Sequence, residues 1–253
     1  MNEILIKEKL DNGMFMLTLN RPHMRNAINF QMIDELHRAI DEAKNNFAIK
    51  MVVIKGAGER AFCSGGDLSE FHDLITEQEA YGMLSKMGEV LYELATLPKP
   101  TIAYINGAAV GGGCEIAAAC DIRVANHQAK MGFVQANLAI TTGWGGGTLI
   151  LEKMVPSQAL QMLWSAEVIS AFEAKENGFV SEIIYEDGDL SMFLEKFVKK
   201  PLGSLQAYKE ILLRRWRETD LKERIHEEIV TCSKLWEKEE HHIAVDGFRN
   251  RKK

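Results

Sequence analysis

Two glycine-rich segments, Cys63-Ser64-Gly65-Gly66-Asp67 and Gly111-Gly112-Gly113-Cys114-Glu115, each follow a short apolar run and precede a stretch with helical spacing. Glycine lets backbone N–H groups approach a ligand closely, and a helix start leaves N–H donors unpaired and favours negative charge. Two such loops brought together would form an oxyanion hole, a fixed pair of donors for an oxygen that gains charge during reaction. Glu115, on the first turn of the second helix, is the nearby acid or base. The competing reading of either loop is a strand-to-helix turn shaped only for packing.

Other combinations carry less. Gly56-Ala57-Gly58-Glu59-Arg60-Ala61 fits the relaxed dinucleotide fingerprint, but Cys63-Ser64-Gly65-Gly66 interrupts the helix that fingerprint requires. Ser64 has Phe62 where a nucleophile elbow needs glycine, which excludes that route to a serine hydrolase. His226-Glu227 lacks a second histidine at helical spacing and His241-His242 are adjacent, so these are expected to be solvated surface histidines and no metal site is expected.

The elements that must position the loops are readable in outline. Residues 4–10 and 14–19 flank Asp11-Asn12-Gly13 and form a β-hairpin. Asn29 caps a helix ending near Asn45-Asn46, a strand follows at 51–55, and Tyr81, Leu84, Met87, Leu91 and Leu94 mark another amphipathic helix, in which Met83 and Met87 are candidates to line an apolar pocket. A strand at 101–105 leads to the second loop, a small-residue helix at 113–120 that must be buried, and a strand at 121–125. Repeated strand, glycine loop and helix imply a largely parallel sheet. Gly143-Trp144-Gly145-Gly146-Gly147 is a third glycine turn, Ser157 caps the next helix, and Gly178 ends the helix after Ala171. From about Leu190 the pattern is helical throughout, including a long charged segment over 221–240. The division is therefore a core of residues 1–190 and a helical region of 191–253. Leu221, Ile225, Ile229, Leu235 and Trp236 are too few for a separate core and must dock on the main body or on another subunit.

With 253 residues, 46% hydrophobic and 26% charged, the chain can bury a substantial core. A net charge of −6 from 36 acidic and 30 basic residues argues against a nucleic-acid partner. Arg214, Arg215, Arg217, Lys222 and Arg224 alternate with Glu210, Glu218, Glu223, Glu227 and Glu228, the pattern of a solvated helix face. Cys63, Cys114, Cys120 and Cys232 have neither metal-ligand spacing nor disulfide density and are expected to be reduced thiols. No apolar run approaches the roughly 20 residues that cross a bilayer, and Met1-Asn2-Glu3 is acidic where a secretory leader is basic. A cytoplasmic protein without a membrane partner is expected.

Leu19-Asn20-Arg21-Pro22 with Asn26-Ala27-Ile28, then Ala61-Phe62-Cys63-Ser64-Gly65-Gly66-Asp67-Leu68, then Asn106-Gly107 through Glu115, resemble the crotonase family of enoyl-CoA hydratases and isomerases across almost the whole chain. The resemblance implies an α/β fold, a spiral of repeated β-β-α units with a C-terminal helical region that builds trimers or dimers of trimers. It implies an acyl-CoA thioester substrate, with coenzyme A entering as part of the substrate and no separate cofactor. It places the thioester oxygen on the Gly66 and Gly112 amides. Arg25, Ala27, Ala61, Ser64, Gly65, Asp67, Leu68, Gly111 and Trp144 are the substrate-binding candidates, with Arg25 toward a CoA phosphate. Hydratases of the family carry two glutamates. The first matches Glu115, whereas the second position holds Gln135, which cannot exchange a proton at neutral pH. The implied function is an enoyl-CoA hydratase-type lyase in which Gln135 orients water or substrate. Gln135 and the likeness of Phe133-Val134 with Trp144-Gly145-Gly146 to a malonyl-type-CoA decarboxylase branch leave decarboxylation as the alternative, and an inactive acyl-CoA binder as a third.

Overall fold

The computed structural model describes residues 3–250, so Met1 and Asn2 lie outside it. The strands, in chain order, are β1 (Leu5–Lys9), β2 (Met14–Leu19), β3 (Met51–Gly56), β4 (Ala61–Cys63), β5 (Thr101–Ile105), β6 (Ala108–Val110), β7 (Ile122–Asn126), β8 (Lys130–Gly132), β9 (Ile169–Ser170) and β10 (Glu182–Ile184). The helices are α1 (Phe30–Asn45), α2 (Leu68–Phe71), α3 (Glu77–Thr96), α4 (Gly112–Ala119), α5 (Gly146–Lys153), α6 (Pro156–Ser165), α7 (Ala171–Glu176), α8 (Asp187–Val198), α9 (Leu202–Glu218), α10 (Leu221–Trp236) and α11 (Glu239–Asn250).

One sheet runs β1-β2-β3-β5-β7-β10 and a second runs β4-β6-β8-β9. From β3 to β8 successive strands alternate between the sheets, so the chain spirals and each turn adds one strand to each sheet before a helix or turn. Apart from the β1–β2 hairpin and the β8–β9 pair, every ladder is parallel. Gly13 takes φ +91° in the hairpin turn, where Asn12 Oδ1 accepts from Met14 N at 3.1 Å. Parallel strands buried on both faces read as continuous apolar runs. Accordingly Val52 and Ile54 of β3 face the main core with α1 and α3, while Met51 and Val53 face a second cluster with Leu190, Leu194 and Val198 of α8.

Helix α4 is buried at all eight positions, as its small side chains require. A Cβ at Gly113 would stand 2.1 Å from the Cys63 carbonyl oxygen, so only glycine lets α4 lie this close to β4. At its other end Lys153 of α5 donates to the carbonyls of Ala118, Ala119 and Cys120 at 2.6, 3.1 and 2.9 Å. That pairing gives the last carbonyls of α4 an amine donor and leaves the positive pole facing the glycine loops.

Several boundaries differ from the sequence expectation for local reasons. Helix α6 opens with Pro156 at its first position after Val155, so Ser157 is not the cap; proline is preorganised there and has no N–H to satisfy. The charged segment at 221–240 is helical as expected, carried by α10 and the start of α11. Helix α10 docks on the main body through Leu221, Ile225 and Ile229, which are buried in this chain's own core. Asn29 caps α1 as expected, accepting from Met32 N at 3.0 Å. All four cysteines are free and buried. Among the described residues no helix is long and apolar enough to cross a membrane.

Candidate functional site

The two glycine loops, the start of α5, the one-turn helix Gln135–Leu138 and the C-terminal helices enclose a cavity of about 420 Å3. Glu115 projects into its wall from the first turn of α4 and is only 3% exposed. One carboxylate oxygen, Oε2, accepts from Trp144 N at 2.8 Å and Gly146 N at 3.0 Å; the other accepts from Gln135 Nε2 at 2.8 Å. The third glycine turn thus wraps the carboxylate, and it can do so because a Cβ at Gly146 would lie 2.3 Å from Glu115 Cγ. Burial, then the charge of Glu228, push the Glu115 carboxyl up to about 7, against the pull of the backbone donors at Trp144, Gly146 and Gly143.

Gly66 and Gly112 line the same cavity. Ile28 N donates to Gly65 O at 2.9 Å and Asp67 N donates to Ile28 O at 2.8 Å, so the Gly66 N–H between them points away from Ile28. The Gly112 amide opens α4 and has no preceding helical carbonyl to meet. The loops touch: a Cβ on Gly65 would come within 3.2 Å of Gly112 N. Gly65 and Gly111 both hold positive φ, +92° and +56°, the conformation these turns require. The buried Trp144 ring lies against both loops: a Cβ on Gly112 would stand 2.1 Å from it and a Cβ on Gly66 3.7 Å.

Of the remaining candidates, Arg25, Ala27, Ser64, Asp67 and Leu68 line this cavity as well. Arg25 is exposed and sits in the left-handed region at φ +52°, its carbonyl accepting from Ser64 N at 3.1 Å. Asp67 is committed to structure: it caps α2 through Ser69 and pairs with Arg21 Nη2 at 2.7 Å. Burial opposes its charge, but the hydrogen bonds of Ser69 and Arg21 outweigh that and hold the carboxyl below its usual range. Ala61, expected at the substrate site, stands apart from this cavity. It lies on β4 opposite Ala108, its carbonyl taken by Asn26 Nδ2 at 2.7 Å, and does not line the cavity.

Sequence reasoning missed the contribution of the last two helices. His241 and His242, expected on the solvated surface, line the cavity; His241 is 3% exposed and its Nδ1 meets Leu138 O at 2.7 Å. Trp236 Nε1 donates to Leu74 O at 2.7 Å, so α10 and α11 strap the cavity to the segments on either side. Glu228, expected on a charged solvated face, is instead half-buried, with its carboxylate hydrogen-bonded at the start of α5. The available signal was its spacing, three residues after Ile225 and four before Cys232, on the apolar stripe of α10. Of the two methionine candidates, Met83 lines the cavity and Met87 is core. Among the described residues no group of three or more His, Cys, Asp or Glu side chains is placed to hold a metal ion.

The enoyl-CoA hydratase/isomerase family model matches residues 9–253. The short-chain-enoyl-CoA hydratase of Clostridium acetobutylicum is 38% identical over 184 residues, 72% of this chain and 69% of that protein. The 2,3-dehydroadipyl-CoA hydratase of Escherichia coli is 31% identical over 252 residues, 98% of this chain and 96% of its own. The chain spans only 57% of the mouse mitochondrial methylglutaconyl-CoA hydratase, 38% identical over 181 residues and 71% of this chain. In three dimensions an enoyl-CoA hydratase/isomerase from Xanthobacter autotrophicus superposes with a TM-score of 0.88 at 24% identity, covering 99% of this chain and 94% of that one. The chain belongs to the enoyl-CoA hydratase/isomerase family, the crotonase family. An enoyl-CoA hydratase-type lyase is the class of enzyme its family and sequence relatives define.

Proposed function

We propose that the protein adds water across the conjugated double bond of a short-chain 2-enoyl-CoA, with Glu115 as the only side chain that carries the proton. The observation that supports this reading is the Glu115 carboxyl itself, locked on one oxygen by two backbone donors, touched on the other by Gln135, and poised at about 7. A group with that proton affinity serves as base and then as acid near neutral pH.

In this reading the thioester carbonyl oxygen rests between the Gly66 and Gly112 amides. Water sits between Glu115 Oε1 and the Gln135 carbonyl oxygen, a buried acceptor with no hydrogen-bond partner among the described residues. Water oxygen bonds to Cβ as its proton passes to Glu115, and the π electrons move onto the thioester oxygen as an enolate. The enolate collapses, Cα takes the proton from Glu115, and the carbonyl is restored. One water has been added and the carboxylate is back in its starting form. Losing one donor of such a hole typically costs roughly 3–4 kcal/mol of barrier. The single carboxyl thereby does the work divided between two in the family pattern, and Gln135 orients rather than exchanges protons. The thioester activates its own α-carbon, so coenzyme A enters as part of the substrate and the chemistry needs no separate cofactor.

Arg25 at the exposed mouth offers a guanidinium to a CoA phosphate. Beyond Glu115 the walls are Phe71, Met83, Leu84 and Ile140, and Trp236 with His241 closes the far end, which suits a short acyl chain. The exposed Trp164, Tyr208 and Ile211 offer apolar surface to further copies in a homotrimer or a dimer of trimers. Decarboxylation of a malonyl-type thioester would use the same enolate hole and is the second reading, favoured by the amide at position 135. Mass spectrometry of products from a mixed panel of enoyl- and malonyl-type CoA esters decides between them. Gain of water on the enoyl esters supports hydration, loss of carbon dioxide supports the second reading, and tight binding without turnover on any ester overturns both.

A further inference from the structure

Glu228 belongs to α10, yet its carboxylate is hydrogen-bonded at the start of α5. Oε1 accepts from Gly147 N at 3.2 Å, and Oε2 accepts from Thr148 N and Thr148 Oγ1, each at 2.6 Å. Glu115 takes the two donors just before these, Trp144 N and Gly146 N. The backbone stretch 144–148 therefore divides its amides between two carboxylates. Glycine at 147 leaves room for this: a Cβ there would stand 2.6 Å from Thr142 Oγ1 and 3.3 Å from Glu228 Oε2. Glu228 lies behind the stretch, outside the residues that line the cavity.

We propose that Glu228 is a positioning residue for the reaction at Glu115: it fixes the turn whose amides grip Glu115, and it sets a second carboxylate behind the first, out of reach of the substrate. The inference rests on the reading of Glu115 as proton carrier. Its physical content is twofold. Trp144 N and Gly146 N are held by Glu115, Thr148 N by Glu228, and Gly147 N by Glu228 together with Thr142 Oγ1 at 3.1 Å, so the turn is pinned from both sides and keeps Glu115 aimed. Two carboxylates sharing one turn, Glu115 buried and Glu228 half-buried, also favour a proton on the pair, because the charged forms repel where little water separates them.

The other groups around Glu115 do not supply that effect. Cys232 from α10 and Cys114 from α4 are thiols that burial pushes up, and burial pushes His241 of α11 down, so all three stay neutral around neutral pH. His242 faces the cavity from the same helix. From the first glycine loop Asp67 is tied to Arg21, and on the outer turns Glu152 of α5 is paired with Arg224 of α10 at 2.7 Å. Glu228 is the acidic group that shares the turn with Glu115.

The test uses Glu228→Gln and Glu228→Asp in the full chain, each checked for folding by thermal melting. Against an enoyl-CoA that the wild type hydrates, E228Q is expected to move the ascending limb of kcat/KM to lower pH by on the order of one unit. In the substrate-free protein, carbon NMR of labelled glutamate, with Glu115→Gln for assignment, is expected to show the same downward displacement of the Glu115 titration. E228D keeps the charge but is one methylene too short to serve Gly147 and Thr148 together. It is expected to retain the limb while losing turnover. An unchanged limb and an unchanged Glu115 titration in folded E228Q overturn the proposal. If E228Q does not fold, E228D carries the test, and turnover equal to wild type overturns it. Absence of turnover by the wild type on every ester would sink both readings of the reaction and leave the coupling to be decided by the NMR titration.

Discussion

Gln135 donates from Nε2 to Glu115 Oε1 at 2.8 Å, and its own buried carbonyl oxygen has no hydrogen-bond partner among the described residues. The amide therefore presents one donor to the Glu115 carboxylate and one free acceptor to the cavity. A glutamate at the same position would present a second negative charge to Glu115, so the two residue types give different chemistry in one geometry.

Gln135→Ala removes a donor that favours the charged form of Glu115, so the Glu115 carboxyl should rise further. The ascending limb of kcat against pH moves upward, and turnover falls on the order of tenfold to a hundredfold with the loss of the water-orienting acceptor. Steady-state kinetics across pH check both. Unchanged turnover would remove Gln135 from the mechanism.

Glu115→Gln should trade function for stability. The ordinary carboxyl value is 4.5 and burial raises Glu115 to about 7, so between those pH values the folded state holds a proton that the unfolded chain has released. Stability falls as pH rises through that window, by about 3 kcal/mol in all. The glutamine variant escapes the loss, and Gln135 can turn its free carbonyl toward the new amide. Urea denaturation should find the variant more stable than wild type at pH 8, with the difference shrinking toward pH 5, while hydration is abolished.

Asp67 shows the opposite sign. Its carboxyl is held below the ordinary 3.8, so the Arg21–Asp67 pair contributes stability at neutral pH that is lost as pH falls below that value. Arg21→Met leaves the 2% exposed Asp67 side chain without its cation and should cost about 3 kcal/mol at pH 7. The deficit relative to wild type should shrink in acid, as measured by urea denaturation.

Gly112→Ala drives a methyl into the Trp144 ring, since its Cβ would stand 2.1 Å from Cζ3. Turnover should fall about a hundredfold or more as the amide is displaced, and stability should drop by roughly 1–3 kcal/mol. Gly82→Ala in α3, where a Cβ meets nothing within 4 Å, should instead stabilise by about 0.5–1 kcal/mol. Thermal melts and kinetics on the pair separate a glycine needed for space from one that is not.

How much of this was legible in the sequence follows from the range of the interactions. The hairpin at Asn12-Gly13, the Asn29 cap and the glycine loops are local devices, and each reads directly from neighbouring residues. Glu115 was legible because it stands on the loop it serves. Glu228, Trp236 and His241 were not, because their partners lie 162 residues away for Trp236 and 103 for His241, and 81 and 80 for Glu228. A charged residue within a run of charges looks solvated until the apolar positions at 225, 229 and 232 are seen to share its face. Ala61 was carried by motif likeness alone; its main-chain pairing with β6 places it behind the cavity wall.

The measurement closest to the central claim is hydration of a short-chain enoyl-CoA, followed by loss of the conjugated thioester absorbance, in wild type and Glu115→Gln. The account predicts steady conversion to the 3-hydroxyacyl thioester by wild type, with turnover rising through pH 7, and none by the variant. A wild type that adds no water to any enoyl ester, or a glutamine variant that adds it as fast, would contradict it.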